Sequence, residues 1–226
     1  GVFIFLFFLP FRLIMFAVTE IITNLYTRFS KIPLNKPAET AIIIGKCEYR
    51  NPSFWVNPSY GIDLMFLIKY LKSKGERFSI YKNVSIETLD EIMANKNVKT
   101  IYLVGHGRRH SFMIDSKTVV DYCRYDNPRY KKEFVYQLHC NHGRGKSLAE
   151  YVVPERNLRE CLPDHGYFSD ISITEMMIDK LLDDYGYRGF KKTLSKSYYT
   201  FITLAIPIMS FTLWSWIFIK LILGGL

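Results

Sequence analysis

The sequence has 226 residues and a net formal charge of +9, enough chain for one or two domains. The positive charge suits an anionic membrane surface or an acidic partner. A nucleic-acid partner is not expected, because the sequence shows neither a basic helix nor an aromatic RNA-binding signature. It also contains no internal repeat and no low-complexity segment.

The chain begins with an apolar stretch, residues 1–26, which Arg12 and Glu20 interrupt. A central arginine costs about 2.5–3.5 kcal/mol on membrane-insertion scales, and the apolar residues on its two sides outweigh this cost. We therefore expect a spanning or re-entrant membrane segment, with a signal peptide or an interfacial helix as the alternatives. A linker over residues 27–40 follows, and it contains Pro33 and Pro37.

The middle of the chain, residues 41–190, predicts one α/β domain. Short β-branched runs alternate with apolar residues at helical spacing, which predicts β-α-β-α-β order and a mainly parallel sheet between helix layers. Ser85 is expected to cap the second helix, and Gly75 to end the first. The predicted strands are 41–45, 77–81, 101–104, a small hairpin strand at 112–115, and 134–138; the predicted helices are 62–71, 86–93, 146–153 and 173–182.

A second apolar stretch lies near the end of the chain. Residues 198–219 include no charged side chain, and twenty-two such residues are enough to cross a bilayer as a helix. Pro207 is tolerated in such a helix, and Trp214 and Trp216 lie toward one end, where aromatic rings favour the membrane interface. The sequence therefore predicts a transmembrane helix over residues 198–223.

The basic residues beside the two apolar stretches orient the chain. Both basic flanks face the middle of the chain, so the positive-inside rule places the central domain on the cytoplasmic side of the membrane. In that compartment the four cysteines, which lack a paired close spacing, are expected to be reduced thiols. The flanking cations are Arg28, Lys31, Lys36, Arg188, Lys191, Lys192 and Lys196.

Two predicted strands end on reactive side chains. The run Ile101–Val104 leads to Gly105-His106-Gly107, and the run Phe134–Leu138 leads to His139-Cys140. Catalytic groups collect beyond the carboxyl ends of parallel strands, so His106 and Cys140 are expected to meet there. Cys140 would be a nucleophile and His106 its acid/base partner, and the amides of Gly107 and Cys140 would hold the oxyanion.

The two motifs resemble those of the caspase-like cysteine peptidases, which include caspases, metacaspases, gingipains, separases, legumains and CHAT domains. These proteins share an apolar strand ending in His-Gly and a later apolar strand ending in Cys-x-x-Gly or a close variant. Here His106-Gly107 and Cys140-Asn141-His142-Gly143 match the pattern. The resemblance covers residues 41–186. It implies a three-layer, mainly parallel sheet and an endopeptidase acting on protein or peptide substrates through a Cys-His dyad, with no metal and no cofactor.

The sequence departs from this family at the position two residues before the cysteine. Caspases carry Gln there and metacaspases Asp, helping to set a specificity pocket, whereas this chain has Leu138, with Gln137 one step earlier. The substrate specificity is therefore open. The candidate pocket residues are Asp63, Gln137, Leu138 and Arg108.

Three other interpretations stay open at this stage. The fold could be a catalytically idle scaffold subunit of a membrane complex, or a sensor that binds an anion through Arg108, Arg109, Arg144 and Lys146. The third interpretation is a zinc site, although the spacings match no common closed site. Its possible ligands are His106, His110, His139, Cys140, His142, Cys161 and His165.

Overall fold

Four parallel strands form the centre of the domain, in the spatial order Phe78–Lys82, Thr40–Ile44, Thr100–Val104 and Phe134–Leu138. The computed structural model describes residues 38–45, 60–115, 117–162, 181–183 and 186–223, together with Ile21, Leu25 and Asp179. The elements are β1 (Thr40–Ile44), α1 (Tyr60–Ser73), β2 (Phe78–Lys82), α2 (Ile86–Ala94), β3 (Thr100–Val104), β4 (His106–Arg108), β5 (Ser111–Met113), β6 (Val119–Asp121), β7 (Phe134–Leu138), α3 (Leu148–Val152) and α4 (Gly189–Leu223).

The sheet is buried on both faces, and successive residues of each strand point to opposite faces. On one face Ile43, Leu103 and Val135 belong to the same buried cluster as Leu89 of α2 and Ala149 of α3. The other face buries Ile42, Tyr102 and Leu138 with three residues of α1, namely Leu67, Ile68 and Leu71. The α/β class and the parallel sheet predicted from the sequence are thus confirmed, and the two covered faces are compatible with a three-layer fold.

Local signals in the sequence explain where the first two helices begin and end. The Ser85 side chain accepts a hydrogen bond from the Thr88 amide at 3.2 Å, as a helix N-cap does. Gly75 has a φ of +69°, and the Glu76 amide donates to the Leu71 carbonyl at 3.0 Å, the pattern of a Schellman C-cap. Both predicted caps are confirmed.

A second, antiparallel sheet of three short strands follows β3 directly. Strand β5 lies between β4 and β6, and it pairs Gly107 with Phe112 and Phe112 with Val120. The predicted hairpin strand corresponds to β5, whereas β4 and β6 were not expected from the sequence. Two 3₁₀ turns, Tyr122–Tyr125 and Pro128–Tyr130, then lead back to β7. Gly45 leaves room for this sheet, since a Cβ there would lie 2.6 Å from the Met113 carbonyl oxygen.

The long helix α4 contains the predicted C-terminal membrane segment. It has 35 residues, and large apolar side chains near its end are exposed, among them Met209 at 70% and Trp216 at 58%. Within the described ranges, no helix meets the combined length and hydropathy expected of a membrane span. Most of residues 1–37, the loop before α1 and most of 163–180 lie outside the described residues. Most of the predicted N-terminal segment and most of the predicted helix at 173–182 therefore lie outside them too.

Candidate functional site

The two predicted catalytic residues follow neighbouring strands at the same level of the sheet. Val104 of β3 pairs with Leu138 of β7 in parallel register, and the Gly105 amide donates to the Leu138 carbonyl at 3.4 Å. His106 and Cys140 each come two residues after this pair. Because hydrogen-bonded strands lie about 4.8 Å apart, the fold brings both residues to one edge of the sheet.

The surroundings of these two side chains differ. His106 is partly buried, and burial lowers the pKa of its imidazole. Neutral imidazole is the form that accepts a proton from a thiol. Cys140 is exposed, so its thiol is accessible to a reagent or a substrate. Cys123, Cys140 and Cys161, the cysteines of the described residues, are thiols and form no disulfide.

A second histidine, His139, is buried directly beside the candidate nucleophile. Its Nδ1 lies 2.8 Å from the Cys140 carbonyl oxygen, and its Nε2 lies 2.7 Å from the Tyr122 hydroxyl. A carbonyl only accepts, so Nδ1 carries the hydrogen, and Nε2 accepts the Tyr122 proton. Both ring nitrogens are therefore satisfied in the neutral form. Burial lowers the pKa of His139 to about 4, and the nearby His106 lowers it too, against the opposing effect of the Cys140 carbonyl.

Gly107 is pressed against this histidine. A Cβ built on Gly107 would lie 2.5 Å from the Ser111 carbonyl oxygen and 2.6 Å from His139 Nδ1. Real side chains do not approach so closely, so only glycine fits between β5 and the imidazole. The glycine that the sequence predicts as an oxyanion donor is thus also required for packing.

The loop after Cys140 is held by two buried amide side chains. Asn141 donates from Nδ2 to the His139 carbonyl at 2.7 Å and to the Gln137 carbonyl at 3.0 Å. Gln137 donates from Nε2 to Asn141 Oδ1 at 2.8 Å and accepts from the Leu148 amide at 2.7 Å. Strand β7, the loop and the start of α3 are therefore tied together on the buried side of Cys140.

A salt bridge closes the outer part of the same loop. Arg109 contacts Glu150 at 3.0 Å and donates to the Gly145 carbonyl at 3.1 Å. Glu150 also accepts from the Ser147 amide at 2.6 Å, completing a capping box at the start of α3. Because the Arg109 guanidinium already has these partners, it is poorly suited to the anion-binding role considered above.

The structure places the remaining predicted residues as follows. Gln137 and Leu138 are 2% and 1% exposed, and Arg108 is exposed at the end of β4. Asp63 lies on α1, and its side chain is outside the part of the chain that the structure describes. The substrate pocket formed by these four residues stays a prediction. Within the described residues, no group of three or more His, Cys, Asp or Glu side chains is placed to hold a metal ion.

Sequence reasoning did not identify Tyr122 or Asn141 as site residues. Tyr122 lies in the region between the two motif strands, where the sequence shows no periodic pattern. Asn141 is adjacent to the cysteine, but its burial depends on Gln137, and a sequence pattern does not show that pairing. The one signal in the sequence for these site residues was the occurrence of three polar residues, Gln137, His139 and Asn141, at alternate positions around an otherwise apolar strand end.

The order of the strands and the paired motif residues thus define a candidate site at the carboxyl edge of β3 and β7. Comparison with known proteins adds no identification to this geometry: no protein-family model matches the sequence, and no curated protein matches it significantly.

Proposed function

We propose that this protein is a membrane-anchored cysteine endopeptidase of the caspase-like type. The observation that carries the proposal is the parallel register of β3 and β7, which puts His106 and Cys140 two residues beyond the Val104 and Leu138 pair. A partly buried histidine and an exposed thiol at one sheet edge are the two groups that acyl transfer through cysteine requires.

The proposed reaction assigns one role to each group. Cys140 loses its proton to His106 and attacks the peptide carbonyl, and His106 returns the proton to the leaving amine. The Gly107 and Cys140 amides donate to the oxyanion that forms. Water then hydrolyses the thioester and regenerates the thiol. This chemistry requires no metal or cofactor.

The membrane part of the proposal depends on α4. Apolar side chains are exposed on this helix from Met209 to Leu223, and an isolated helix of this composition is unfavourable in water. We propose that a lipid bilayer covers this part of α4 and that the basic residues before it keep the central domain on the cytoplasmic side. Subunits of a membrane complex are the alternative cover.

The test is labelling of the full chain with an electrophilic peptide probe, comparing wild type with Cys140→Ala and His106→Ala by mass spectrometry. Cys123 is also exposed, so it serves as an internal reference for ordinary thiol reactivity. We expect labelling at Cys140 that is faster than at Cys123 and is lost in His106→Ala. If Cys140 and Cys123 react at the same rate in wild type, the peptidase proposal is refuted, and an idle scaffold subunit becomes the better interpretation.

A further inference from the structure

We infer that Tyr122 and Asn141 are positioning residues that fix the two peptide groups on either side of Cys140, and so aim its amide at the oxyanion. The inference depends on the proposed function, because it assigns these residues to the same reaction. Neither side chain is proposed to contact the substrate.

The peptide group before Cys140 is held by Asn141. Its Nδ2 donates to the His139 carbonyl oxygen at 2.7 Å. The peptide unit is planar and trans, so a fixed carbonyl also fixes the opposite direction of the Cys140 N–H. This N–H is one of the two proposed oxyanion donors. Asn141 is itself held by Gln137, whose Nε2 donates to Asn141 Oδ1 at 2.8 Å.

The peptide group after Cys140 is held through Tyr122. The Tyr122 hydroxyl donates to His139 Nε2, which selects the tautomer with the hydrogen on Nδ1, and Nδ1 donates to the Cys140 carbonyl. Tyr122 is 1% exposed and His139 is 5% exposed. Without the hydroxyl, the buried ring would have an unsatisfied nitrogen and a weaker preference for the tautomer that holds Cys140.

The distribution of burial also indicates a site rather than an ordinary loop. Cys140 is exposed, whereas its two neighbours, His139 and Asn141, are only 5% and 6% exposed. Burying polar side chains is costly unless their hydrogen bonds are made. Here the His139 ring bonds to the carbonyl of Cys140, and the Asn141 side chain bonds to the carbonyl of His139, the residue before Cys140. A rigid main chain under an accessible thiol is the preorganisation that an oxyanion site needs.

The experiment separates oxyanion stabilisation from simple thiol reactivity by using two reagents on the full chain. Iodoacetamide alkylates a thiolate by displacement of iodide, and no oxyanion forms. p-Nitrophenyl acetate reacts through a tetrahedral oxyanion, in which the sulfur–carbon bond forms before p-nitrophenolate leaves. The variants are Tyr122→Phe and Asn141→Leu, which remove a hydroxyl and an amide without adding a charge beside the thiol. Tyr125→Phe is the matched control, because Tyr125 is buried to the same 1% in the same 3₁₀ turn and packs on Tyr130.

We expect Tyr122→Phe and Asn141→Leu to slow acetylation of Cys140 about tenfold or more. The rate of its alkylation should stay within about threefold of wild type, with the same pH profile. Tyr125→Phe should leave both rates unchanged. Equal loss in both reactions would show a general structural role and refute the inference, as would unchanged acetylation in both variants. Acetylation of wild-type Cys140 no faster than that of Cys123 would refute the proposed function and the inference together.

A spectroscopic readout checks the tautomer independently of any reaction. In 15N-histidine-labelled protein at neutral pH, His139 should give a protonated Nδ1 and an unprotonated Nε2 signal. Tyr122→Phe should shift the Nε2 signal and raise the population of the other tautomer, whereas Tyr125→Phe should not. An Nε2-protonated His139 in wild type would contradict the geometry from which the inference starts.

Discussion

Acidification tests the neutral state of buried His139. Its pKa is about 4 in the folded chain, against about 6.5 in an unfolded chain. A histidine with a lowered pKa binds fewer protons when folded than when unfolded, so acid favours unfolding. The stability that depends on neutral His139 is complete above about pH 6.5, and it decreases progressively as the pH falls to about 4.

The size of the effect follows from the two pKa values. Linkage gives a loss of about 2 kcal/mol at pH 5 relative to pH 8, and of about 3 kcal/mol at pH 4. Burial also lowers the pKa of His106, so this residue contributes in the same direction. Carboxylates such as Asp90, whose pKa is lowered by its hydrogen bond with Arg124, titrate below this window and add their loss only at lower pH.

Urea unfolding of the full chain in a mild detergent, followed by far-UV circular dichroism, measures the effect between pH 5 and pH 8. In His139→Gln the decrease in the free energy of unfolding over this range should shrink by about 2 kcal/mol, even if the variant is less stable at every pH. An unchanged pH dependence in His139→Gln would show that His139 is protonated normally in the fold. Direct NMR titration of His139 in wild type provides the same check without a substitution.

Two further substitutions test the packing of the domain. Gly107→Ala should destabilise the fold by about 2–4 kcal/mol, because its Cβ overlaps the Ser111 carbonyl and the His139 ring. The control is Gly75→Ala, where the new Cβ has open space but the backbone φ is +69°, so it should cost only about 1–2 kcal/mol. Equal losses of unfolding free energy in denaturant titrations of the two variants would contradict the overlap. Lys132 is 4% exposed, and burial lowers its pKa to about 8, below the value of about 10.4 in an unfolded chain. Wild type therefore loses stability as the pH falls from about 10.4 to about 8. Lys132→Met should therefore gain stability relative to wild type as the pH falls over this range, with the largest gain at pH 8 and below, and a pH-independent difference would contradict the burial of the charge.

The elements predicted correctly from the sequence are those whose signals are local. Strand β3 is a run of apolar, mostly β-branched or aromatic residues, and its burial on both faces follows from that run. Ser85 and Gly75 identify helix ends through their own backbone preferences. The shared level of His106 and Cys140 was also predictable, because short parallel strands flanked by helices leave few alternative registers.

The parts that were missed depend on contacts between residues far apart in the chain. Strands β4 and β6 have three residues each, too few for a period to be visible in a sequence. The Tyr122 hydroxyl meets His139 across seventeen positions, and no composition or spacing rule connects the two. Gln137 was predicted as a possible pocket residue because it lies one position before the one where caspases carry glutamine. Its side-chain hydrogen bonds instead go to Arg109, Asn141 and Leu148.

Two of these contacts act on the backbone around Cys140 through a neighbouring side chain: Tyr122 bonds to His139, and Gln137 bonds to Asn141. The Asn141 side chain fixes one carbonyl and the His139 ring fixes the next, and Gly107 packs on that ring because no larger residue fits. A buried cluster of polar groups gains little stability over a well-packed apolar one, so stability alone is a weak reason for this arrangement. Control over the direction of the Cys140 amide is the reason that we propose, and the two-reagent comparison tests it directly.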